Sequence, residues 1–439
     1  MSERFLGYLA RAVIVGLAAS GCEQGSALRA RPGGEATPIE GAAPDDGLKV
    51  CPPHEGAPGL EYGVSRQNHI DEYEGCEIID AGFRISPFEG ADLRPLRAVR
   101  EVRGRLTIGD RYTGDHGFPS LEGLEGLRRV QGLTLAGIQA RDLSVFRNLE
   151  RIDDAERTSY EGGSSLEILQ AEGLVDLQGL ENVRGLYSLL VFESPALRSL
   201  QGVHLEPHPN DQGGAIIANT PVEDFADLTA QTHLGSLSLV HTPLQSLDPF
   251  RSLRSVSRLL LQDNPLLADV AVLGQFESLL RLEVTSNPLL TTLPDLPLVH
   301  DLAVVQLRSN PLLTHAPGFP GVTSLVELLV AGNPLLERLD ALPALERLEN
   351  GTISSNQHLL GFDFGSLLEV TGTLHVQDNP ELDASALAAV QGRIKRSGNR
   401  DQTPTLMSPC PWADDEECDE PPDSELCAEG TDPVCRWDE

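Results

Sequence analysis

Six asparagines constrain the architecture of this chain more than any other feature, because they stand 23 residues apart without interruption. Pro follows all of them but one, which Gln357 follows instead. The six are Asn264, Asn287, Asn310, Asn333, Asn356 and Asn379. A strict period of this length indicates a solenoid, in which a repeat cannot bury its apolar face alone and does so by stacking on the next repeat. We therefore expect an array of coils.

An apolar pair in L-x-L spacing, such as Leu282 and Val284, precedes these asparagines. Alternation of period two predicts a strand with both apolar side chains on one face. Pro ends the strand because it has no N–H, and the Asn amide can bond nearby backbone at the corner. The frame continues upstream, less regularly, to Phe83 and Ile85, which gives thirteen candidate coils. The six asparagines are then expected to form a structural ladder and not a ligand site.

The pattern L-x-L-x-x-N-P-x-L resembles that of leucine-rich repeats. The opening CEIIDAGFRI, residues 76–85, is similar to that of the receptor L-domain type, in which a Cys precedes the first strand. The resemblance covers about residues 76 to 390. It implies a β-rich solenoid with one long parallel sheet and short irregular return segments. It also implies that proteins or peptides bind on a sheet face.

The first 22 residues predict export. Arg4 and Arg11 precede an apolar run, residues 12–19, that is too short to span a bilayer. Small residues and Cys22 follow at once, and this order is typical of an export signal. The segment resembles a bacterial lipoprotein signal, which is cut just before a Cys that receives the lipid, although Ala19 stands where Leu is usual. The alternative is an ordinary secretory signal with an incidental Cys, and both place the protein outside the cytoplasm.

The chain is predicted to contain five segments. Residues 1–21 are the signal, and residues 22–50, rich in Gly, Ala, Pro and charge, are a flexible tether. Residues 51–80 form an N-terminal cap, in which Cys51 and Cys76 are candidates for a disulfide that covers the open end of the array. Residues 81–395 form the solenoid, and residues 396–439 form an acidic tail. The expected location is the bacterial cell envelope, lipid-anchored at Cys22 in the outer membrane or at the cell surface, or otherwise secretion.

The acidic tail holds four further cysteines, Cys410, Cys418, Cys427 and Cys435. Their spacing lacks the close C-x2-4-C pairs of a zinc site, so it predicts two disulfides with three pairings open. Clustered carboxylates could supply oxygen ligands to Ca²⁺, although no D-x-D-x-D-G loop is present. These are Asp419, Glu420, Asp423 and Asp432. The alternative is a solvated acidic segment, and no other cofactor or metal site is expected.

Net charge limits the partners, because 66 acidic residues oppose 33 basic ones and leave a charge of −33. Such a surface repels nucleic acid and anionic lipid headgroups, so nucleic acid is not expected as a ligand and membrane contact is expected only through the anchor. No H-E-x-x-H, G-x-S-x-G, Walker or dinucleotide motif is present, so no enzymatic activity is expected.

The positions between the apolar pairs are the best candidates for function, because alternation turns them away from the core. The binding candidates are Arg258, Gln262, Arg281, Glu283, Thr285, Gln306, Arg308, Glu327, His375 and Gln377. The alternative for these positions is a solvated face with cross-strand pairs. The predicted function is binding of a protein or peptide outside the cytoplasm. The other hypotheses are an acidic envelope spacer without a ligand and an unrecognised enzyme.

Overall fold

A computed structural model describes most of the chain from residue 47 onward. The described residues are 47–52, 62–109, 118, 120–152, 165–208, 213–339, 342–362, 364, 366–383, 385, 388–391 and 405–406. Cys22 and the four tail cysteines lie outside them, as do the four carboxylates named for Ca²⁺. Two compact units are present, residues 1–213 and 214–439. None of the described helices is both long and apolar enough to cross a membrane.

The first unit consists of parallel strands joined by short helical turns. Its strands are β1 (Val50–Cys51), β2 (Tyr62–Val64), β3 (Ile78–Ile79), β4 (Phe83–Ile85), β5 (Glu101–Ile108), β6 (Arg129–Ala136), β7 (Arg151–Ile152), β8 (Leu166–Leu169) and β9 (Ser188–Phe192). Its helices are α1 (Gln67–Asp71) and the 3₁₀ turns η1 (Arg94–Ala98) and η2 (Ser144–Phe146). In the main series β4, β5, β6, β8 and β9, each strand pairs with the next in parallel.

The second unit repeats this arrangement with greater regularity. Its strands are β10 (Gly214–Ala218), β11 (His233–Val240), β12 (Ser255–Gln262), β13 (Ser278–Thr285), β14 (Val304–Arg308), β15 (Ser324–Ala331), β16 (Arg338–Leu339), β17 (Arg347–Ser354), β18 (Gly361–Phe362), β19 (Glu369–Val370), β20 (Leu374–Gln377) and β21 (Thr405–Leu406). The 3₁₀ turns η3 (Ala226–Ala230), η4 (Asp248–Phe250) and η5 (Ala271–Gln275) lie on the return side. A parallel series runs from β10 to β15 and continues through β17 and β20 to β21.

The L-x-L positions of all thirteen predicted coils lie within strands, including the coil in which Gly351 replaces the first apolar residue. Their register is in phase, so that Leu259 pairs with Leu282 and Leu282 with Val305. These three side chains are buried. The prediction of a parallel-sheet β-solenoid of leucine-rich-repeat type is therefore confirmed, and the core lies between the strands and their return segments.

The asparagine ladder is present, as predicted. The Asn287 backbone N–H donates to Asn310 Oδ1 at 3.0 Å, and Asn287 Nδ2 donates to the Leu261 carbonyl at 2.9 Å. The same two bonds recur at Asn264, Asn310, Asn333 and Asn356, and all five of these residues are buried. Each amide thus joins one coil to its neighbours on both sides.

The residue before each ladder asparagine adopts a left-handed backbone, which the sequence pattern did not single out. Asp263, Ser286 and Ser309 have φ of 53°, 55° and 53°, and Gly332 has φ of 68°. Polar residues such as Asp and Ser tolerate this region better than β-branched ones, because a short polar side chain can bond locally. The corner is therefore formed by a left-handed residue, an amide and a proline acting together.

Cys51 and Cys76 are joined by a disulfide in the first unit. Cys51 lies at the end of β1, which pairs in parallel with β3 just after Cys76. Cys76 itself is fully buried. The bond ties the segment before the first coil to the strand that follows it, which is the arrangement expected of an N-terminal cap.

Several acidic side chains accept hydrogen bonds from the backbone of the return segments. Asp142 Oδ1 accepts the N–H of Ser144 at 2.9 Å, and Asp269 Oδ1 accepts the N–H of Ala271 at 2.8 Å. Side-chain and backbone hydrogen bonds from Arg94 lower the pKa of Asp92 to about 2. These bonds satisfy N–H groups at the start of 3₁₀ turns. Part of the acidic composition therefore has a local structural role.

Replacing Asn310 by Ala tests the ladder. The change leaves the Asn287 N–H and the Val284 carbonyl buried without their amide partners. Each such group costs about 1–3 kcal/mol, so we expect a loss of roughly 2–4 kcal/mol in the free energy of unfolding measured in urea. The control is Asn379→Ala, at a half-buried rung where water can replace the bonds, and it should cost less. Equal midpoints for the two variants would contradict this role.

Candidate functional site

The candidate site is the sheet surface of the second unit that points away from the core. We call it the outer sheet face, and it is formed by the outward side chains of β10 to β15, β17 and β20. Strand register arranges these side chains in columns. Arg258 pairs with Arg281, Glu283 with Gln306 and Thr285 with Arg308, in successive strands. All ten predicted binding residues belong to this face, and none of the ten is fully buried.

Some of the predicted residues are bonded to one another. Arg281 Nη1 lies 3.0 Å from Glu283 Oε1, and the two side chains form an ion pair. Gln306 Nε2 donates to Glu327 Oε1 at 2.8 Å across β14 and β15. These bonds fix four polar groups in the middle of the face, as the alternative of a solvated, internally paired face requires. Because these four groups are already bonded to one another, they are less available to bind a ligand.

Two other arginines of the face are not bonded in this way to any described side chain. Arg258 is half-buried and Arg308 is exposed, and neither side chain has a hydrogen-bond or ion-pair partner among the described residues. Thr285 lies beside Arg308 in register, and its hydroxyl is not engaged within the described part of the chain. The free groups of the face are thus mainly cationic, although the chain carries a net charge of −33.

The remaining predicted residues lie at the two sides of this arrangement. Gln262 Nε2 donates to Asp263 Oδ2 at 2.9 Å, next to the left-handed corner. His375 pairs in register with Thr352, and its Nδ1 is buried without a hydrogen-bond partner in the described residues. Gln377 follows on the same strand and is half-buried. The structure therefore brings the predicted residues onto one face, but not into one cluster.

Sequence reasoning missed an apolar part of this face. Leu280 and Val326 are 49% and 45% exposed, and they occupy equivalent positions two coils apart with Ala303 between them. The alternation breaks here, because Leu280 and Arg281 are consecutive and both point outward between buried Leu279 and Leu282. The spacing L-x-x-L-x-L leaves two consecutive outward positions between its first two leucines, and this pattern could have identified Leu280 and Val326 as outward residues.

In the first unit, polar side chains at equivalent outward positions are buried and bonded to one another. Arg105, Thr134 and Glu167 occupy outward positions on β5, β6 and β8, and their exposures are 5%, 0% and 1%. Arg105 Nη1 donates to Thr134 Oγ1 at 3.1 Å, and Thr134 Oγ1 donates to Glu167 Oε2 at 2.9 Å. Gly132 makes room for this network, because a Cβ there would lie 2.7 Å from Arg105 Cζ. These charges serve the fold rather than a ligand in solvent.

No metal centre is evident in the described parts of either unit, since no three His, Cys, Asp or Glu side chains there are placed to hold an ion. The residues proposed for Ca²⁺ in the tail are outside those parts.

Comparisons with known proteins give fold-level similarity only. No protein-family model matches the chain, and no curated protein matches it. An internalin from Listeria monocytogenes matches with a TM-score of 0.38 and 16% identity, over 73% of this chain and 86% of the internalin. A leucine-rich-repeat protein from Leptospira interrogans matches with a TM-score of 0.35 and 14% identity, over 77% of this chain and 92% of that protein. At these scores neither similarity carries an argument about ligands. The fold assignment rests on the strands and the ladder of this chain.

Replacing Glu167 by Leu tests the closed surface of the first unit. The change removes the carboxylate 4.0 Å from Arg105 Nη1 and leaves a buried guanidinium without it. Breaking a buried ion pair costs about 3–5 kcal/mol, and we expect a loss of that order in urea unfolding followed by circular dichroism. The double variant Arg105→Met, Glu167→Leu should recover part of the loss. A double variant no more stable than the single one would argue against charge burial as the cause.

Proposed function

We propose that this protein is an exported, lipid-anchored leucine-rich-repeat protein of the receptor L-domain type that binds another protein outside the cytoplasm through the outer sheet face. The observation that carries the proposal is that the side chains of Arg258 and Arg308 have no hydrogen-bond or ion-pair partner among the described residues, whereas Arg281 on the same face is held by Glu283. A guanidinium without an internal partner can donate to a ligand without first losing a bond. Binding at these residues is therefore favoured over binding at Arg281.

The backbone under this face supports the same function. The strands are fixed to one another by parallel pairing and by the buried asparagine ladder beneath their ends. A face held in this way loses little conformational entropy when it orders a ligand. The side chains on it change from coil to coil while the scaffold does not, so recognition can be varied without changing the fold.

Export and anchoring are the second part of the proposal. The N-terminal segment resembles a lipoprotein signal, and the disulfide between Cys51 and Cys76 suits an oxidising compartment. Acylation at Cys22 would hold the solenoid at a bacterial envelope membrane, with the residues up to about position 50 as a tether. Multiple acyl chains hold far better than one, because each buried CH₂ adds about 0.8 kcal/mol.

Charge reversal of the free arginines tests the binding face. In a pull-down of envelope proteins with the full chain, we expect Arg258→Glu with Arg308→Glu to lower partner recovery by about tenfold or more, as loss of an interfacial charge contact does. The matched control is Arg198→Glu with Arg251→Glu, which makes the same change in net charge at exposed residues off the face. Quantitative mass spectrometry of the captured proteins gives the readout.

The outcomes of that experiment are distinct. Loss of a partner in the first variant but not in the control supports the face. Equal recovery with both variants, each with an unchanged circular dichroism spectrum, would refute it and favour an acidic spacer without a specific ligand.

Lipidation at Cys22 has an independent test. Mass spectrometry of the mature N-terminus should show an acylated Cys22 as the first residue. Cys22→Ser should release the protein from membranes into the soluble fraction, since the thiol that carries the lipid is gone. A mature chain that starts elsewhere, or one that starts at an unmodified Cys22, would contradict the anchor and leave simple secretion.

A further inference from the structure

An apolar step interrupts the outer sheet face of the second unit. We use this name for Leu280, Ala303 and Val326, which follow one another in three neighbouring coils. The Ala303 N–H donates to the Leu280 carbonyl, and the Val326 N–H donates to the Ala303 carbonyl, both at 2.8 Å. Two large exposed side chains therefore stand about 10 Å apart with a small one between them. An apolar group from a partner can lie over Ala303 and be flanked on both sides.

Of the charged side chains next to the apolar step, Arg281 is neutralised by an ion pair, whereas Glu327 keeps its negative charge. Arg281 is held by Glu283, and Glu327 accepts a hydrogen bond from Gln306. Val304, in register between Arg281 and Glu327, is buried. The surface from the apolar step to the middle of the face is thus held by internal bonds and carries one carboxylate that no cation neutralises, Glu327. It favours a partner segment that is neutral or basic beside its apolar side chain.

Arg308 lies at the other end of the same central strand. It is exposed, and its register neighbours Thr285 and Ala331 are small and uncharged. Ala303, at the centre of the apolar step, and Arg308 are five residues apart, which is roughly 17 Å along an extended chain. A planar guanidinium without an internal partner is suited to bidentate contact with a carboxylate.

We propose that the partner presents a polypeptide segment that places an apolar side chain on the apolar step and a carboxylate on Arg308. This inference rests on the proposed function and specifies the chemistry of its ligand. The net charge of −33 repels strongly acidic proteins at long range. The carboxylate is therefore a single acidic residue in a segment that is otherwise neutral or basic, about five residues from the apolar one if the segment is extended.

A peptide library tests the inference directly. Phage-displayed random peptides of about twelve residues, long enough to cross the face, are selected on the full-length protein. We expect enrichment of peptides that combine a large apolar residue with Asp or Glu about five positions away. Arg308→Glu should weaken binding of these peptides by about tenfold or more and should itself select Lys or Arg in place of the acid.

The apolar requirement has a matched control. Leu280→Asp with Val326→Asp should abolish binding of the same peptides. Leu289→Asp with Leu312→Asp changes two leucines of similar exposure, 44% and 39%, at the corner after the ladder, and should leave binding unchanged. All four positions are exposed, so the substitutions are tolerated by the core.

Three results would overturn the inference. They are a lack of enriched peptides, enrichment of peptides without the apolar and acidic pair, and binding that Arg308→Glu or the Leu280 and Val326 variant does not alter. The proposed function fails separately. If charge reversal at Arg258 and Arg308 abolishes capture of a partner while the peptides show no such pair, the face binds a ligand of different chemistry. If neither experiment responds, both fail.

Discussion

The asparagine ladder is the interaction on which the rest of the regular array depends. A corner made of a left-handed residue and a proline breaks the strand, so it leaves backbone N–H and carbonyl groups inside the protein without a strand partner. An amide carries both a donor and an acceptor, and Asn287 uses both on the preceding coil: Nδ2 donates to the Leu261 carbonyl and Oδ1 accepts the Asn264 N–H. The Asn287 backbone N–H donates to Asn310 Oδ1 in the next coil. Because an unsatisfied buried group is costly, the bonds hold successive coils at one spacing. Where a residue with a shorter side chain replaces the asparagine, the spacing between coils is held less strictly. Thr220 Oγ1 donates to the Ala218 carbonyl within its own coil, and the repeats around such residues are less regular in length.

The sequence predicts those features in which residue type and position are coupled. In the six regular coils, strand positions, burial of the apolar residues and the ladder itself follow from apolar residues and Asn at a constant period, because apolar side chains suit the core and the amide suits the corner. The left-handed corner is different. Asp263, Ser286 and Gly332 share one backbone conformation without sharing a side chain, so no single residue type holds that position through the six coils. A conformational requirement that several residue types can meet leaves little trace in the pattern.

The sequence predicts which side chains of the outer sheet face point outward, but not which of them are bonded to one another. Alternation places Arg258, Arg281 and Arg308 on the outside, and the structure agrees. Alternation does not reveal that Arg281 is held by Glu283 two residues away while Arg308 has no partner among the described residues, because that depends on side-chain geometry. Leu280 was not predicted to point outward for another reason. The two-residue alternation of a strand fails where two consecutive residues both point outward.

The two units show that an outward position is not by itself a binding position. In the first unit Glu167 and Arg105 point away from the core and are nevertheless buried in a network that passes through Thr134. A ligand there would have to exchange existing bonds for new ones, and the net gain would be small. In the second unit, within the described residues, the Arg308 side chain has no bond to lose and the exposed Leu280 has no apolar cover. Polar groups and apolar side chains without such partners can contribute binding free energy at no cost in internal bonds. The same repeat therefore produces a surface of internally bonded side chains in one unit and a surface with unengaged side chains in the other.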